Sequence, residues 1–414
     1  MENGYDKFEI LISAKRYNDA ESMLKEHLSL EAYDTHAISI LSRVYEAKDE
    51  LSKAISLIQS ALSLSPDNHY YVYLKASYLL QNDDIIEADK LADFCISKDP
   101  YSSDYYTLKA AICISKKQFK EGLKYANKAL EINPENVRSL NLKSTAHIKL
   151  GDKDEASQAA EGALNEDPDD SFSHASTGWN YLEAGNVQKA LEHFKESLRL
   201  DASNDIAREG IIEALKSRNF LYKKFLSFQF WLANKSNVVQ WIFVGSFFLM
   251  NRILKIISKI IEGAENWVKP AMFVVFSLAI FTWVIEPLSN LILRFDKFGK
   301  YALNDKQKWV SNFVLASLFL FTTGTILYVN SGSDFSMALG YFGLTMMIPL
   351  SGTLSDLKNA RMYNVYALVM LGLGVFSLFI TLSTGNWANV FSIIYIIGLI
   401  GYQFIANRES IGKF

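Results

Sequence analysis

The sequence predicts an all-α protein in two parts, a solenoid of stacked helical hairpins followed by a polytopic bundle of transmembrane helices. Three observations predict it. Pro66, Pro100, Pro134 and Pro168 stand 34 residues apart, the period of a helical repeat array. Apolar stretches of spanning length crowd the chain after Asn237. The charge also changes sign: residues 1–220 hold 26 Lys and Arg against 37 Asp and Glu, and residues 221–414 hold 16 against 8. An acidic, water-facing half is thus joined to a basic, apolar one. That excludes a single globular enzyme domain and a disulfide-stapled secreted scaffold. It also argues against nucleic acid as a partner, because the acidic half would repel phosphate.

The amino-terminal stretch Met1–Lys7 is polar and acidic and has no signal-peptide pattern, so the first half is expected in the cytosol. Cys95 and Cys113 belong to no CxxC pair and no zinc-spaced cluster; two buried thiols in a reducing compartment are expected, with no metal and no cofactor.

Small residues recur in the proline frame. One row reads Ala54, Ala88, Gly122, Ala156 and Ala190. A second reads Ala61, Cys95, Ala129, Ala163 and Ser197, and a third Ser42, Ala76, Ala110, Ser144 and Gly178. Such rows mark close helix crossings, and Leu41, Tyr45, Ile58, Leu79, Tyr181 and Phe194 fill the space between them. Ser65-Pro66-Asp67-Asn68, Asn133-Pro134-Glu135-Asn136 and Asp167-Pro168-Asp169-Asp170 offer cap side chains just ahead of a new helix. Residues 205–217 read as a capping helix through Ile206, Ile211, Ile212 and Leu215.

On these residues the first half resembles the tetratricopeptide repeat family. Residues 171–204 match best, with Gly178, Tyr181, Ala190 and Phe194 at the family spacing and Ala202 in place of the terminal proline. Elsewhere Lys75, Lys109 and Lys143 occupy a usual leucine position, and Cys113 and His147 replace a tyrosine. Five repeats cover about 35–204, residues 1–34 form a worn sixth, and the solenoid runs over 1–217. The resemblance implies that the first helix of each hairpin lines a concave face that takes a protein or peptide ligand. That face would include Arg43, Tyr70, Tyr73, Arg138, Asn141 and Trp179. Aromatic and arginine side chains suit such a role, because they carry much interface energy. The acidic run Glu166–Asp170 lacks the glycine and the distal glutamate of a calcium loop and reads as a solvated turn.

Residues 218–237 mix aromatics with Lys223, Lys224 and Lys235 and are expected to lie as an amphipathic linker in the headgroup layer. Six spans follow within 238–407, at about 238–257, 270–292, 309–329, 335–352, 363–383 and 388–406, leaving a tail at 408–414. Basic residues in the loops 294–308 and 354–361 and in the tail place both termini inside, as in a bacterial inner-membrane protein. Arg252, Lys255, Lys259 and Lys269 run against that rule and leave the first segment either spanning or lying in the interface. Gly340/Gly343, Gly372/Gly374 and Gly398/Gly401 offer close helix contacts, within one chain or in an oligomer.

The membrane half has no His and no Cys, and the chain has no nucleotide or hydrolase motif, so no catalytic residue is expected. Glu286, with Pro287 and Asn290 beside it and Arg252 or a lysine as a partner, is the notable intramembrane polar group. The expected function is a membrane-anchored adaptor or scaffold binding a cytosolic protein or peptide. The alternative is a transporter or lipid-active protein centred on Glu286, with the repeats as a regulatory cap.

Overall fold

The computed structural model describes residues 5–235, 237–261, 264, 268, 271–272, 284–285, 287–296, 299, 303, 305–352 and 360–410. Every regular element among them is an α-helix. The chain divides into two compact units, Met1–Asn180 and Tyr181–Phe414.

The first unit is a run of helical hairpins. They are α1 (Asp6–Ser13) and α2 (Tyr17–Leu30), α3 (Thr35–Ala47) and α4 (Leu51–Leu64), α5 (His69–Gln81) and α6 (Ile85–Lys98), α7 (Ser103–Ser115) and α8 (Phe119–Ile132), and α9 (Val137–Leu150) and α10 (Lys153–Glu166). Then comes α11 (Ser171–Glu183), which straddles the boundary. Apart from α3, which starts 29 residues after α1, every later helix of the unit starts 34 residues after its counterpart in the hairpin before.

Side-chain caps set those starts. The Asn68 side chain accepts from the backbone N–H of Tyr70 (3.1 Å) and Tyr71 (3.3 Å). Asp34, Asn136 and Asp170, in the same frame, cap α3, α9 and α11 in the same way, whereas Ser102 makes no cap bond. One residue before each proline, Asp99, Asn133 and Asp167 accept from the N–H two residues on and close the turn.

The turn inside each hairpin has its own periodic device. Lys15, Asp49, Asp83, Lys117, Gly151 and Gly185 are again 34 apart, and all have positive φ, from 56° to 95°. Only the last two are glycine. The others hold a left-handed conformation that costs an L-residue about 1–2 kcal/mol.

The three rows of small residues are buried, as their spacing predicts. At Gly122 a Cβ would stand 2.8 Å from Ile114 Cγ1, so the crossing of α7 and α8 leaves no room for one. The first hairpin departs from the rule. Phe8 and His27 hold the positions that Ser42 and Ala61 hold one repeat later, and their rings meet at 6.3 Å. This is the physical content of its worn sequence.

The second unit opens with α12 (Val187–Leu200) and α13 (Asp205–Lys216), which cross with Phe194 against Gly210. Next is α14 (Phe220–Ala233), which begins one residue ahead of the repeat frame and is capped by Asn219. It packs rather than standing alone. Tyr222, Phe225, Leu226 and Ala233 are buried, the Tyr222 hydroxyl donates to Glu213 at 2.6 Å, and Asn234 donates to Glu183 at 3.0 Å. The segment read from sequence as an amphipathic linker is therefore a helix in contact with the capping helix, through Tyr222, Glu213 and Lys216. Phe220, Leu221 and Trp231 remain on the outer face.

Among the described residues, five longer helices follow: α15 (Asn237–Ile260), α16 (Asp305–Ser331), α17 (Asp334–Gly352), α18 (Ala360–Thr384) and α19 (Val390–Ser410). Among the described residues, α16 and α18 are long and apolar enough to cross a membrane. Most of the second expected span, 270–292, lies outside the described residues. Glycine brings α16 and α17 together: a Cβ on Gly324 would land on the backbone of Gly340, and one on Gly343 on the backbone at Phe321. Gly374 receives Phe342 and Gly398 receives Met370, whereas Gly372 faces open space.

Gly151→Ala is expected to cost about 1–2 kcal/mol, because only the backbone conformation opposes it. Lys15→Gly is expected to gain about 0.5–1 kcal/mol at the equivalent turn. Urea unfolding of the two variants would check both signs.

Candidate functional site

The first helices of successive hairpins present their residues in rows. One row is His36, Tyr70, Asp104, Arg138 and Phe172, and all five are exposed. A second row is Glu9, Arg43, Ser77, Ala111, Thr145 and Trp179, all partly accessible. Arg43 Nη1 and Nη2 grip the Glu9 carboxylate at 2.6 and 3.1 Å, a bidentate bond between neighbouring repeats. Burial pulls the Arg43 pKa down, Glu9 pulls it up, and the net shift is upward.

Tyr70 and Tyr73 stack on each other at 6.1 Å, and Tyr73 leans on Tyr105 at 5.5 Å. Burial raises both phenols. The Arg43 charge opposes that at Tyr70, the Arg138 charge opposes it at Tyr73, and the Asp104 carboxylate adds to it at both. Four of the six residues expected on this face, Arg43, Tyr70, Tyr73 and Arg138, therefore act on one another around a single aromatic patch. Asn141 does not join them at the surface. It is buried against α11, its Nδ2 donates to Ser173 Oγ at 2.7 Å, and its Oδ1 has no partner. Trp179 is half-buried further along the Arg43 row.

Glu9, Asp104 and Phe172 were missed by the reading of the sequence alone. The signal was present: Glu9 lies one period before Arg43, Asp104 midway between Tyr70 and Arg138, and Phe172 one period after Arg138.

Lys109, at a usual leucine position of the family, is buried between Asp89 (2.8 Å) and Asp93 (2.5 Å). Lys116 also reaches Asp89, at 3.0 Å. Burial opposes the Lys109 charge and the two carboxylates sustain it, leaving its pKa raised.

Among the described residues, His27, Glu31 and Asp34 form the group whose ligand atoms lie close enough for a metal. Its geometry is that of a brace. Asp34 Oδ1 accepts from the N–H groups of His36 and Ala37, both at 3.0 Å. Oδ2 meets Tyr5 Oη at 2.6 Å and His27 Nε2 at 2.7 Å. Burial opposes the Asp34 charge, yet these bonds leave its pKa lowered, while the bond to Asp34 pushes the Tyr5 phenol up to about 12. Cys95 and Cys113 are buried, and burial pushes the Cys95 thiol up to about 12.

In the second unit, Glu286 lies outside the described residues. Asn290 is buried, and its Oδ1 has no partner. Arg252 is exposed on α15.

Residues 113–175 match the family model of the tetratricopeptide repeat. That match supports the tetratricopeptide repeat reading of the helical hairpins. Similar solved structures include TTC0263, a thermophilic TPR protein of Thermus thermophilus, at 17% identity over 44% of this chain and 98% of that one, with a TM-score of 0.42. The anaphase-promoting complex hetero-tetramer Cut9-Hcn1 matches at 17% identity over 50% and 40%, with a TM-score of 0.43. YrrB, described as a TPR protein with an unusual peptide-binding site, matches at 17% identity over 44% and 95%, with a TM-score of 0.30. No curated protein matches the chain.

Two outcomes test the site's electrostatics. Lys109→Ala removes the buried cation between Asp89, which keeps Lys116, and the largely solvated Asp93, and is expected to cost about 1–2 kcal/mol in urea unfolding, whereas Lys109→Met loses less because it keeps the packing. Bonds from Lys25, Lys48 and Tyr45 lower Glu21 to about 2. Its contribution is therefore complete above the ordinary carboxylate range and lost as pH falls from there toward 2. Glu21→Gln is expected to flatten that part of the acid-unfolding curve.

Proposed function

We propose that this protein is a membrane-anchored adaptor whose tetratricopeptide repeats bind a protein or peptide partner on the face of their first helices. The Tyr70–Tyr73 stack carries the reading. It leaves Tyr70 41% exposed, with Arg43 on one side and Asp104 and Arg138 on the other. A large aromatic surface held between opposite charges is a hot-spot composition, and nothing in the packing of the repeats needs Tyr70 in water. A ligand chain has room along the second row, where Ser77, Ala111 and Thr145 form a floor of small side chains between Arg43 and Trp179.

The anchoring half of the reading draws on the outer faces of α16, α18 and α19. Phe319, Val329, Leu368, Phe379, Val390 and Ile397 are each more than 60% exposed. Apolar rows of that size are costly in water and favourable in lipid. On this reading the protein lies in a bacterial inner membrane with both termini in the cytosol, and the chemistry is binding without catalysis. A second reading, transport or lipid activity centred on Glu286, draws on the orphaned Oδ1 of Asn290 four residues away.

A photocrosslinker at Tyr70 in native membranes is expected to trap a defined partner, and one at exposed Ile86 on a second helix is not. Arg138→Glu should cut the Tyr70 adduct about tenfold. Loss of function in Glu286→Gln with the adduct intact would favour the second reading. Extraction of the whole chain by alkaline carbonate would end both.

A further inference from the structure

Tyr70 on α5, Asp104 on α7, Arg138 on α9 and Phe172 on α11 hold one position of the repeat frame, yet they change character at every step: aromatic, acid, base, aromatic. All four are exposed, and all four lie in the first unit. Their charges differ from those of the row beside them. Arg43 is already held by Glu9, at 2.6 and 3.1 Å. Among the described residues, the Asp104 and Arg138 side chains take part in no hydrogen bond and no ion pair.

Helix formation accounts for only one of these two free charges. Both fall in the first turn of their helices, where the dipole favours a carboxylate and disfavours a cation. Asp104 therefore has a local reason to be there, and Arg138 has none. Arg138 is also close enough to the aromatic stack to act on the Tyr73 phenol, as is Asp104. An exposed, unpaired guanidinium beside an aromatic surface suits a carboxylate that arrives from outside.

The floor along Ser77, Ala111 and Thr145 gives the form of the ligand. It offers one small, partly accessible side chain per helix. That is room for a backbone, whereas a helix with its side chains is about 10–12 Å across. An extended backbone carries N–H and C=O groups that need partners. Ser77 Oγ makes no hydrogen bond among the described residues and can serve as one. The first helices meet directly, α5 with α7 and α7 with α9, and Asn141 bonds Ser173 between α9 and α11. Packed helix axes lie about 8–10 Å apart, and an extended chain advances about 3.3 Å per residue. One step from helix to helix thus takes about three residues of ligand, and the three steps from Tyr70 to Phe172 take about ten.

We propose that this face takes an extended peptide segment with apolar, basic, acidic and apolar side chains at every third position, set over Tyr70, Asp104, Arg138 and Phe172 in that order. The proposal rests on the adaptor reading of this face and names the chemistry of its ligand.

The test is fluorescence anisotropy of labelled, end-blocked ten-residue peptides with the full chain in detergent micelles. The first peptide has leucine, lysine, glutamate and leucine at every third position of an alanine and serine background, and the second exchanges lysine and glutamate, so that both chain directions are covered. A third carries two glutamates, and a fourth sets lysine and glutamate side by side. One or both of the first two are expected to bind about tenfold more tightly than the third and fourth. Arg138→Glu and Asp104→Arg should each remove about that factor, and the two together should restore binding of the first or the second peptide. Both side chains are exposed, and an unchanged thermal unfolding curve shows that the fold is kept. Equal affinity for all four peptides, binding of none, or binding that survives both single substitutions overturns the proposal. Tighter binding of a helical peptide with its lysine and glutamate seven apart overturns it in favour of a helix. A partner trapped at Tyr70 while none of the peptides binds leaves the adaptor reading standing and this proposal fallen; no adduct and no peptide binding ends both.

Discussion

The repeat unit depends on how closely its paired helices cross. Three positions per hairpin sit where two backbones approach, and each tolerates little beyond a methyl, hydroxyl or thiol group. Ala54, Ala88 and Ala190 meet that limit, and Gly122 shows how hard it is, with Ile114 already in the space a Cβ would take. The small side chains bury little area themselves. Their contribution is to let Ile58, Tyr78, Leu108 and Phe194 reach across and be covered, and burial of such side chains supplies about 1.5–3 kcal/mol each. In a stacked array each hairpin touches only its neighbours, so the cost of one bad crossing stays local. The first hairpin uses this freedom. It gives two crossing positions to Phe8 and His27 and secures itself through Tyr5 and His27 on the Asp34 cap.

Cohesion is uneven along the array. Between α3 and α7 the first helices meet through Tyr71, Tyr78, Tyr105, Leu108 and Ile112. Between α9 and α11 they meet through Ser139, Asn141, Ser144, Ser173 and Thr177, over a floor of alanines on α10. Hydrogen bonds stand in for apolar area there: Thr107 with Ser139 at 2.6 Å, Asn141 with Ser173 at 2.7 Å, and Asn180 with Ser144 at 2.7 Å. The exchange is incomplete, because Asn141 Oδ1 and Thr177 Oγ1 are buried without partners, at about 1–3 kcal/mol each. The aromatic patch around Tyr70 thus rests on the firmly packed end. The small-residue floor along Ala111 and Thr145 leads into the end held by polar seams.

Helix positions and crossing rows were legible in the sequence, because both are set by spacing, and spacing survives when residue types drift. Asn68 and Asp170 announce their helices, and the proline frame fixes the rest. The hairpin-turn position was not legible. Lys15, Asp49, Asp83 and Lys117 share a left-handed backbone with Gly151, yet four of the six side chains give no chemical hint of it. The site was half legible for a related reason. Row membership names Arg43, Tyr70, Tyr73 and Arg138, but it cannot say which members are turned inward. Asn141 looked like a surface donor and proved to be a seam contact. Lys109 looked like decay of the repeat, and its reason lies on another helix, at Asp89 and Asp93.

The long helices of the second unit pack by a different mix of contacts from the repeats. Their shared contacts carry hydroxyls and amides: Thr345 meets Tyr395 at 2.9 Å, Tyr366 donates to the Gly398 carbonyl at 2.8 Å, and Asn389 reaches Thr381 at 3.0 Å. Their outer surfaces carry Phe, Leu, Ile and Val. In water that distribution leaves many large apolar side chains wet beside those buried around Met347 and Met370, while polar groups are hidden. In lipid the balance reverses. Apolar side chains lose nothing by facing outward, and helices are held by glycine contacts and by hydrogen bonds that have no competing solvent. The Gly324–Gly340 contact fits the second solvent and has no counterpart among the Leu-, Ile- and Tyr-rich seams of the first hairpins. On the proposed reading, one chain follows two packing rules, one suited to water and one to lipid, a contrast that the average hydropathy of the whole conceals.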